Sequence, residues 1–215
     1  MLNILCGKSG CGKDTLLNEL KKEGYIPLVS TTSRPMREGE TQGVEYNFIS
    51  KDEFKKRIAN DEFIEYRVYE TKVNGISDTW YYGIPKQEFA KDKEYVVILD
   101  VGGTKDFLKE FGKSNILVCY IETDDKLREE RAKLRGSFDQ SQWNRRLIND
   151  NFQFAPDVME EIADIHIENN DLSVEELKSS FINKISHELE NRRYDAEKES
   201  FENDYETELK SYSEY

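Results

Sequence analysis

Gly7-Lys8-Ser9-Gly10-Cys11-Gly12-Lys13-Asp14-Thr15 decides the reading of this 215-residue chain. It follows the apolar run Leu2–Cys6. It precedes Lys13–Glu23, where Leu16, Leu17 and Leu20 recur on one helical face and Gly24 supplies a stop. Gly-x4-Gly-Lys between a buried strand and a helix is the pattern of a phosphate-binding loop. Glycines let backbone N–H groups turn inward around a phosphate. The helix N-terminus adds partial positive charge, and Lys13 neutralises the β- and γ-phosphates as charge shifts during transfer. Gly7, Ser9, Gly10, Cys11, Gly12, Lys13, Asp14 and Thr15 are therefore the expected ATP-binding set, with Mg²⁺ as the cofactor that accompanies ATP. A Ser or Thr hydroxyl for Mg²⁺ usually follows the lysine; here the residue is Asp14, whose carboxylate can approach the metal directly or through water. Asp14 and Asp100 are the candidate metal residues.

Outward from this loop, strand-like runs alternate with helical stretches, which predicts a parallel α/β sheet. The runs are Ile26–Ser30, Tyr95–Asp100, Asn115–Ile121 and the weaker Ala163–Ile167. Ser173-Val174-Glu175-Glu176 carries a capping-box pattern that opens a helix to about Glu190. Residues 31–93 have a different texture, rich in Tyr, Thr, Gly and charge, with one helical piece at Lys51–Asn60; they are read as a subdomain inserted into the core. Residues 124–154 are helical and partly basic, with a break at Gly136, and form a second insertion. From Asn191 on, charge dominates and apolar periodicity fades, so residues 191–215 are expected to be a frayed helix or disordered.

Composition excludes several classes. The net charge of −13 argues against a generic nucleic-acid surface, which needs basic stripes. The excess is uneven: Glu188–Tyr215 holds ten acidic against four basic residues. With 37% apolar and 12% aromatic residues the chain is polar but able to build a core. No apolar run approaches the ~18 residues of a membrane span, and Met1–Cys6 reads as a buried strand rather than a signal peptide. Cys6, Cys11 and Cys119 lack metal-ligand spacing, and their odd number fits a reducing cytoplasm. His166 and His187 sit in no motif, and no Ser-His-Asp set or metal cluster competes with the phosphate loop.

A second phosphate site is suggested by Ser30-Thr31-Thr32-Ser33-Arg34-Pro35-Met36-Arg37, followed by Tyr46. Two arginines three apart and a tyrosine suit a phosphate clamp, because the Arg fork matches phosphate oxygens. Here the chain resembles the guanylate kinases. The phosphate loop, the block Thr31–Phe48, Glu62-Phe63-Ile64-Glu65, Tyr81-Tyr82-Gly83, Arg131-x3-Arg135, Asn144-Arg145-Arg146-Leu147 and Asn169-Asn170-Asp171-Leu172 carry the resemblance in order. It implies a P-loop kinase fold over residues 1–190, with a parallel core sheet, an inserted nucleoside-monophosphate-binding subdomain and a helical lid. It also implies transfer of the ATP γ-phosphate to GMP or dGMP. By position, Ser30, Arg34, Arg37, Tyr46, Glu65, Tyr82 and Gly83 would form the acceptor site. Arg131, Arg135 and Arg146 would be lid arginines that act with Lys13 and Arg34 on the transferring phosphates, and Asn169 would lie in the adenine cradle. The physics supports Glu65 as the guanine reader: guanine offers two adjacent donors, N1–H and the 2-amino group, and one carboxylate accepts both, whereas the adenine N1 acceptor repels it.

The chain departs from the family's pattern at three places. Ile84 replaces a Ser or Thr that would bond the O6 side of guanine, Gly102 replaces an acid, and several extra residues lie around Thr71–Asp78. Ile84, Gly102 and Asp14 motivate a further reading, a monophosphate kinase of broader or deoxynucleotide preference; a catalytically inactive binding module, as in scaffold proteins with guanylate-kinase-like domains, is another.

Overall fold

The structure, a computed structural model, describes residues 1–73, 76–134 and 138–212. In chain order the elements are β1 (Leu2–Cys6), α1 (Lys13–Lys22), β2 (Ile26–Pro27), β3 (Thr31–Thr32), β4 (Asn47–Phe48), α2 (Lys51–Ala59), β5 (Phe63–Val73) and β6 (Ile76–Pro85). They continue with β7 (Tyr95–Ile98), α3 (Val101–Phe111), β8 (Ile116–Glu122), α4 (Asp125–Leu134), α5 (Gln140–Gln153), α6 (Pro156–Ile162), β9 (Ile165–Glu168) and α7 (Val174–Tyr212).

The main sheet has five strands in the order β2-β7-β1-β8-β9, all neighbours parallel. Parallel strands are covered on both faces and read as unbroken apolar runs, as β1 and β8 do. Their side chains divide by the two-residue period of a strand. Leu2, Ile4, Cys6, Ile116, Val118 and Tyr120 pack with Phe107 of α3 and with Met159 and Ile162 of α6. Leu5, Leu117, Cys119 and Ile121 pack on the other face with Leu16 and Leu20 of α1 and with Leu177, Phe181 and Ile185 of α7. The strand expected over Ile26–Ser30 is shorter than its apolar run, with only Ile26–Pro27 in register beside β7.

A second sheet, β4-β3-β6-β5, lies wholly within residues 31–85. β5 and β6 form a long antiparallel hairpin, and the pairing runs on through Thr71↔Asp78 and Lys72↔Ser77. The extra residues thus lengthen a hairpin; its Asn74 and Gly75 lie outside the described residues. Asp78 accepts from Trp80 Nε1 at 2.9 Å and pairs with Lys51 of α2. Phe54 of α2 stacks on Phe63 of β5 with ring centroids 4.4 Å apart, which fixes α2 against the sheet.

α7 begins as the capping box predicts: Ser173 N–H donates to Glu176 Oε2 at 2.8 Å, and Glu176 N–H donates to Ser173 Oγ at 3.3 Å. Its expected end near Glu190 is not a boundary, and the helix continues to Tyr212. Residues 191–212 contain no Gly or Pro, and Glu188–Arg192 is an i,i+4 pair at 2.9 Å. Arg192 also ties α7 to the sheet, donating to Lys113 O at 2.9 Å and Ile116 O at 2.8 Å and pairing with buried Asp164 at 2.7 Å. Among the described residues no helix is long and apolar enough to cross a membrane.

Candidate active site

The loop from β1 to α1 needs its glycines. Gly7, Gly10 and Gly12 have φ of 149°, 84° and 110°, a region that side chains disfavour. A Cβ at Gly7 would fall 2.4 Å from Ile121 O, and one at Gly12 2.6 Å from Asn169 Nδ2. Lys13 Nζ folds over the loop and donates to Gly7 O at 2.7 Å and Lys8 O at 3.0 Å. Cys11 is buried beneath it. Asn169, expected in the adenine cradle, is itself buried and donates to Cys11 O at 2.8 Å; it props the loop from behind. Thr123 Oγ1 shares that role, at 3.3 Å from Cys11 O and 3.1 Å from Asn169 O.

Helices α4 and α5 also hold the loop. Arg128 of α4 is fully buried; Nη1 donates to Ser9 O at 2.8 Å and to Asp150 Oδ2 of α5 at 3.1 Å. Asp150 Oδ2 in turn accepts the Ser9 N–H at 2.7 Å. The Arg128 guanidinium lies 5.6 Å over the ring of buried Trp143. Of the expected lid arginines, Arg131 donates to Asn169 O at 3.0 Å and Asn170 O at 3.3 Å, beside the phosphate loop. Arg135 lies outside the described residues, as does the break at Gly136.

A cavity of about 530 Å³ opens next to Ser9. Ser30, Tyr46, Glu65, Tyr82, Gly83, Asp100 and Arg146 from the expected set line it, together with Arg67 and Tyr69. β5 supplies Glu65, Arg67 and Tyr69 because residues two apart share one face of a strand. Gly83 lies against β5 so closely that a Cβ would fall 2.7 Å from Glu65 O. The rings of Tyr46 and Tyr69 both meet Tyr82 edge-on, at 5.7 Å and 5.6 Å. Burial pushes the Glu65 carboxyl up to about 7; the Arg67 guanidinium opposes that rise, while Asp100 and Asp106 add to it. Arg34 is buried beneath Tyr46 and Phe48, and its fork grips Glu40 at 2.7 and 2.9 Å. That grip holds the Glu40 carboxyl down to about 2. The Arg37 side chain is exposed, outside this lining.

Among the described residues no cluster of three or more His, Cys, Asp or Glu could hold a metal alone. Mg²⁺ does not need one, since it keeps waters and shares nucleotide phosphates with one or two carboxylates. Asp14 fits that demand: it is exposed on the first turn of α1 and faces a neighbouring cavity of about 380 Å³ with Ser30 and Tyr46. Asp100 fits it less well. Its carboxylate caps α3 through Gly103 N–H at 2.7 Å and faces Arg67 Nε at 3.4 Å.

The family model described as guanylate kinase matches residues 2–185. The chain belongs to the guanylate kinase family. The guanylate kinase of Helicobacter hepaticus is 38% identical over 155 residues, covering 67% of this chain and 72% of the relative. That of Carboxydothermus hydrogenoformans is 33% identical over 144 residues, 64% of this chain and 66% of the relative. The crystal structure of guanylate kinase from Anaplasma phagocytophilum shares the fold, with a TM-score of 0.61 at 22% identity over 87% of this chain and 85% of that one.

Against the guanylate kinase pattern, Ile84 takes a different place from the one its position suggested. It is fully buried in the core with Leu28, Val97, Leu99 and Val101, so it is core filling rather than an apolar wall beside a base. Sequence reasoning missed Arg67, Arg128 and Asp150. Arg67 had a usable signal, two residues after Glu65 on one strand face. Arg128 and Asp150 had none, being two charges among many on polar helices.

Proposed function

We infer that this guanylate kinase family member transfers the γ-phosphate of ATP to GMP. One observation carries the assignment of the site: a single cavity joins Ser9 of the phosphate loop to Glu65 and Tyr82 of the second sheet. In-line transfer needs two polyanions held end to end, and the protein's work is positioning and charge neutralisation. The loop N–H groups and Lys13 take the ATP phosphates. For that, Lys13 exchanges the Gly7 and Lys8 carbonyls for phosphate oxygens. Tyr46, Tyr82 and Arg37 take the acceptor phosphate, with Arg34, gripped by Glu40, adding positive charge beneath the rings. Glu65 accepts from guanine N1–H and the 2-amino group. Arg146, in the same cavity, and Arg131, beside the phosphate loop, neutralise the moving phosphoryl group. Bound Mg²⁺ would supply Lewis-acid neutralisation of the phosphate oxygens, with Asp14 as its protein partner. The phosphate loop, Lys13 and Arg146 favour an enzyme over an inactive binding module.

The test is ADP release from Mg-ATP with GMP, dGMP, AMP, CMP, UMP and dTMP. GMP or dGMP should give the highest kcat/KM, and Lys13→Ala should lower kcat by about 10²–10³ with the fold intact. A higher kcat/KM for any other monophosphate overturns the guanylate assignment.

A further inference from the structure

The acceptor cavity contains a cation that the catalytic scheme does not use. Arg67 extends from β5 two residues beyond Glu65, on the same face, and its side chain is 27% exposed. Nη1 donates to Tyr66 O at 2.7 Å, and Nη2 donates to Asp106 Oδ2 at 2.9 Å. Nε stands 3.4 Å from Asp100 Oδ1, and Nη1 stands 3.7 Å from Glu65 Oε2. The last two are ion-pair distances longer than hydrogen bonds. A guanidinium has five N–H groups, so donors remain for a ligand in the cavity.

The place Arg67 fills is made for it by Gly102. A Cβ at Gly102 would fall 2.6 Å from Nη2 and 3.1 Å from both Nε and the guanidinium carbon. Gly102 is in the first turn of α3 and has no left-handed φ, so its backbone conformation does not demand glycine. What demands it is the guanidinium.

We propose that Arg67 is a specificity-determining residue that donates to the O6/N7 edge of the acceptor guanine, alongside Glu65 on the N1–H/2-amino edge. Guanine presents acceptors at O6 and N7 next to its N1–H, and an arginine fork is well matched to that edge. Glu65 and Arg67, 3.7 Å apart, form an acceptor and a donor side by side, in the order in which the base displays donors and then acceptors. Adenine reverses the polarity at both positions and would set its 6-amino group against a cation. With the side chain at position 84 turned into the core, the Arg67 guanidinium is the donor that faces this edge from the cavity wall.

This inference rests on the GMP reading, and its test is a binding measurement that does not require turnover. Calorimetric Kd values are compared for GMP, 6-thio-GMP and IMP. Sulfur in place of O6 weakens the edge assigned to Arg67, and IMP lacks the amino group assigned to Glu65. The unmodified protein should bind GMP roughly tenfold more tightly than 6-thio-GMP, the worth of one charge-assisted hydrogen bond. Measured at alkaline pH, where Glu65 is ionised with or without its neighbour, Arg67→Met should bring that ratio close to one and leave the GMP/IMP ratio unchanged. Gly102→Ala keeps the arginine and displaces only its flexible end, so it should narrow the GMP/6-thio-GMP ratio several-fold in a folded protein. If Arg67→Met weakens GMP and 6-thio-GMP equally, or lowers the GMP/IMP ratio instead, Arg67 acts only through Glu65 and the proposal is overturned. GMP binding with the expected ratios but no phosphorylation would uphold it and remove the kinase reading.

Discussion

Burial holds the Glu65 carboxyl up to about 7, well above the usual carboxylate range. The role proposed for Glu65 needs an ionised carboxylate, so folding opposes the charge that this role requires. The unfolded value is about 4.3, and the folded value lies above it. Stability from this group is therefore complete below the unfolded value and is lost as the pH rises through about 7. Glu65→Gln should accordingly be more stable than the unmodified protein at pH 8, by on the order of 1–3 kcal/mol. That difference should close as the pH falls toward the unfolded value, and thermal melts across the range check it. In the same variant kcat/KM for GMP should fall more than that for AMP. Glu65 was legible in the sequence because its neighbours form a specific block. Ile84 was misplaced because position along a strand does not say whether a side chain reaches the cavity or the core. Its surroundings are wholly apolar, and a hydroxyl there would be buried without water.

At the scale of elements, α4 and α5 are latched together by a buried ion pair, Arg128–Asp150, whose two members both bond Ser9 of the loop. Arg128 is without solvent contact and Asp150 nearly so, and Asp150 also holds a loop N–H. Removing one partner leaves a buried charge, at about 3–5 kcal/mol. Arg128→Leu should therefore destabilise the protein by that order. Adding Asp150→Asn, which removes the charge and keeps an oxygen for the Ser9 N–H, should restore much of the loss, and denaturant unfolding of the single and double variants checks this. α4 and α5 themselves were legible, since residues 124–154 read as helical. The latch was not, because it joins residues 22 apart whose types are ordinary on exposed helix faces. The long hairpin β5–β6 was hidden for a related reason. One of its faces lines a cavity, and Tyr66 and Val68 on the other are about half exposed, so no apolar alternation marks it.

In the molecule as a whole, the parallel sheet could be read directly from its apolar runs, whereas the continuation of α7 could not. Loss of apolar periodicity removes evidence for packing but not the propensity of Glu-, Lys- and Arg-rich sequence to stay helical. Arg192 anchors α7 to the body, on Asp164 and two backbone carbonyls. A chain ending after Arg193 should keep its thermal midpoint and GMP turnover. One ending after Asn191 removes the Arg192 guanidinium from Asp164, which keeps Lys113 and the Val118 N–H, and should melt a few degrees lower, about 2–4 °C per kcal/mol for a chain of this size, as calorimetry on the two truncations will report. The placement of the two tryptophans has its own consequence. Trp143 sits in the latch under Arg128, Trp80 sits in the hairpin bonded to Asp78, and the parallel sheet has neither. The intrinsic fluorescence of this protein therefore comes with one reporter on α5 and one on the β5–β6 hairpin. Replacing either ring with phenylalanine leaves a single-colour optical record of the other ring's surroundings as ATP or GMP is added.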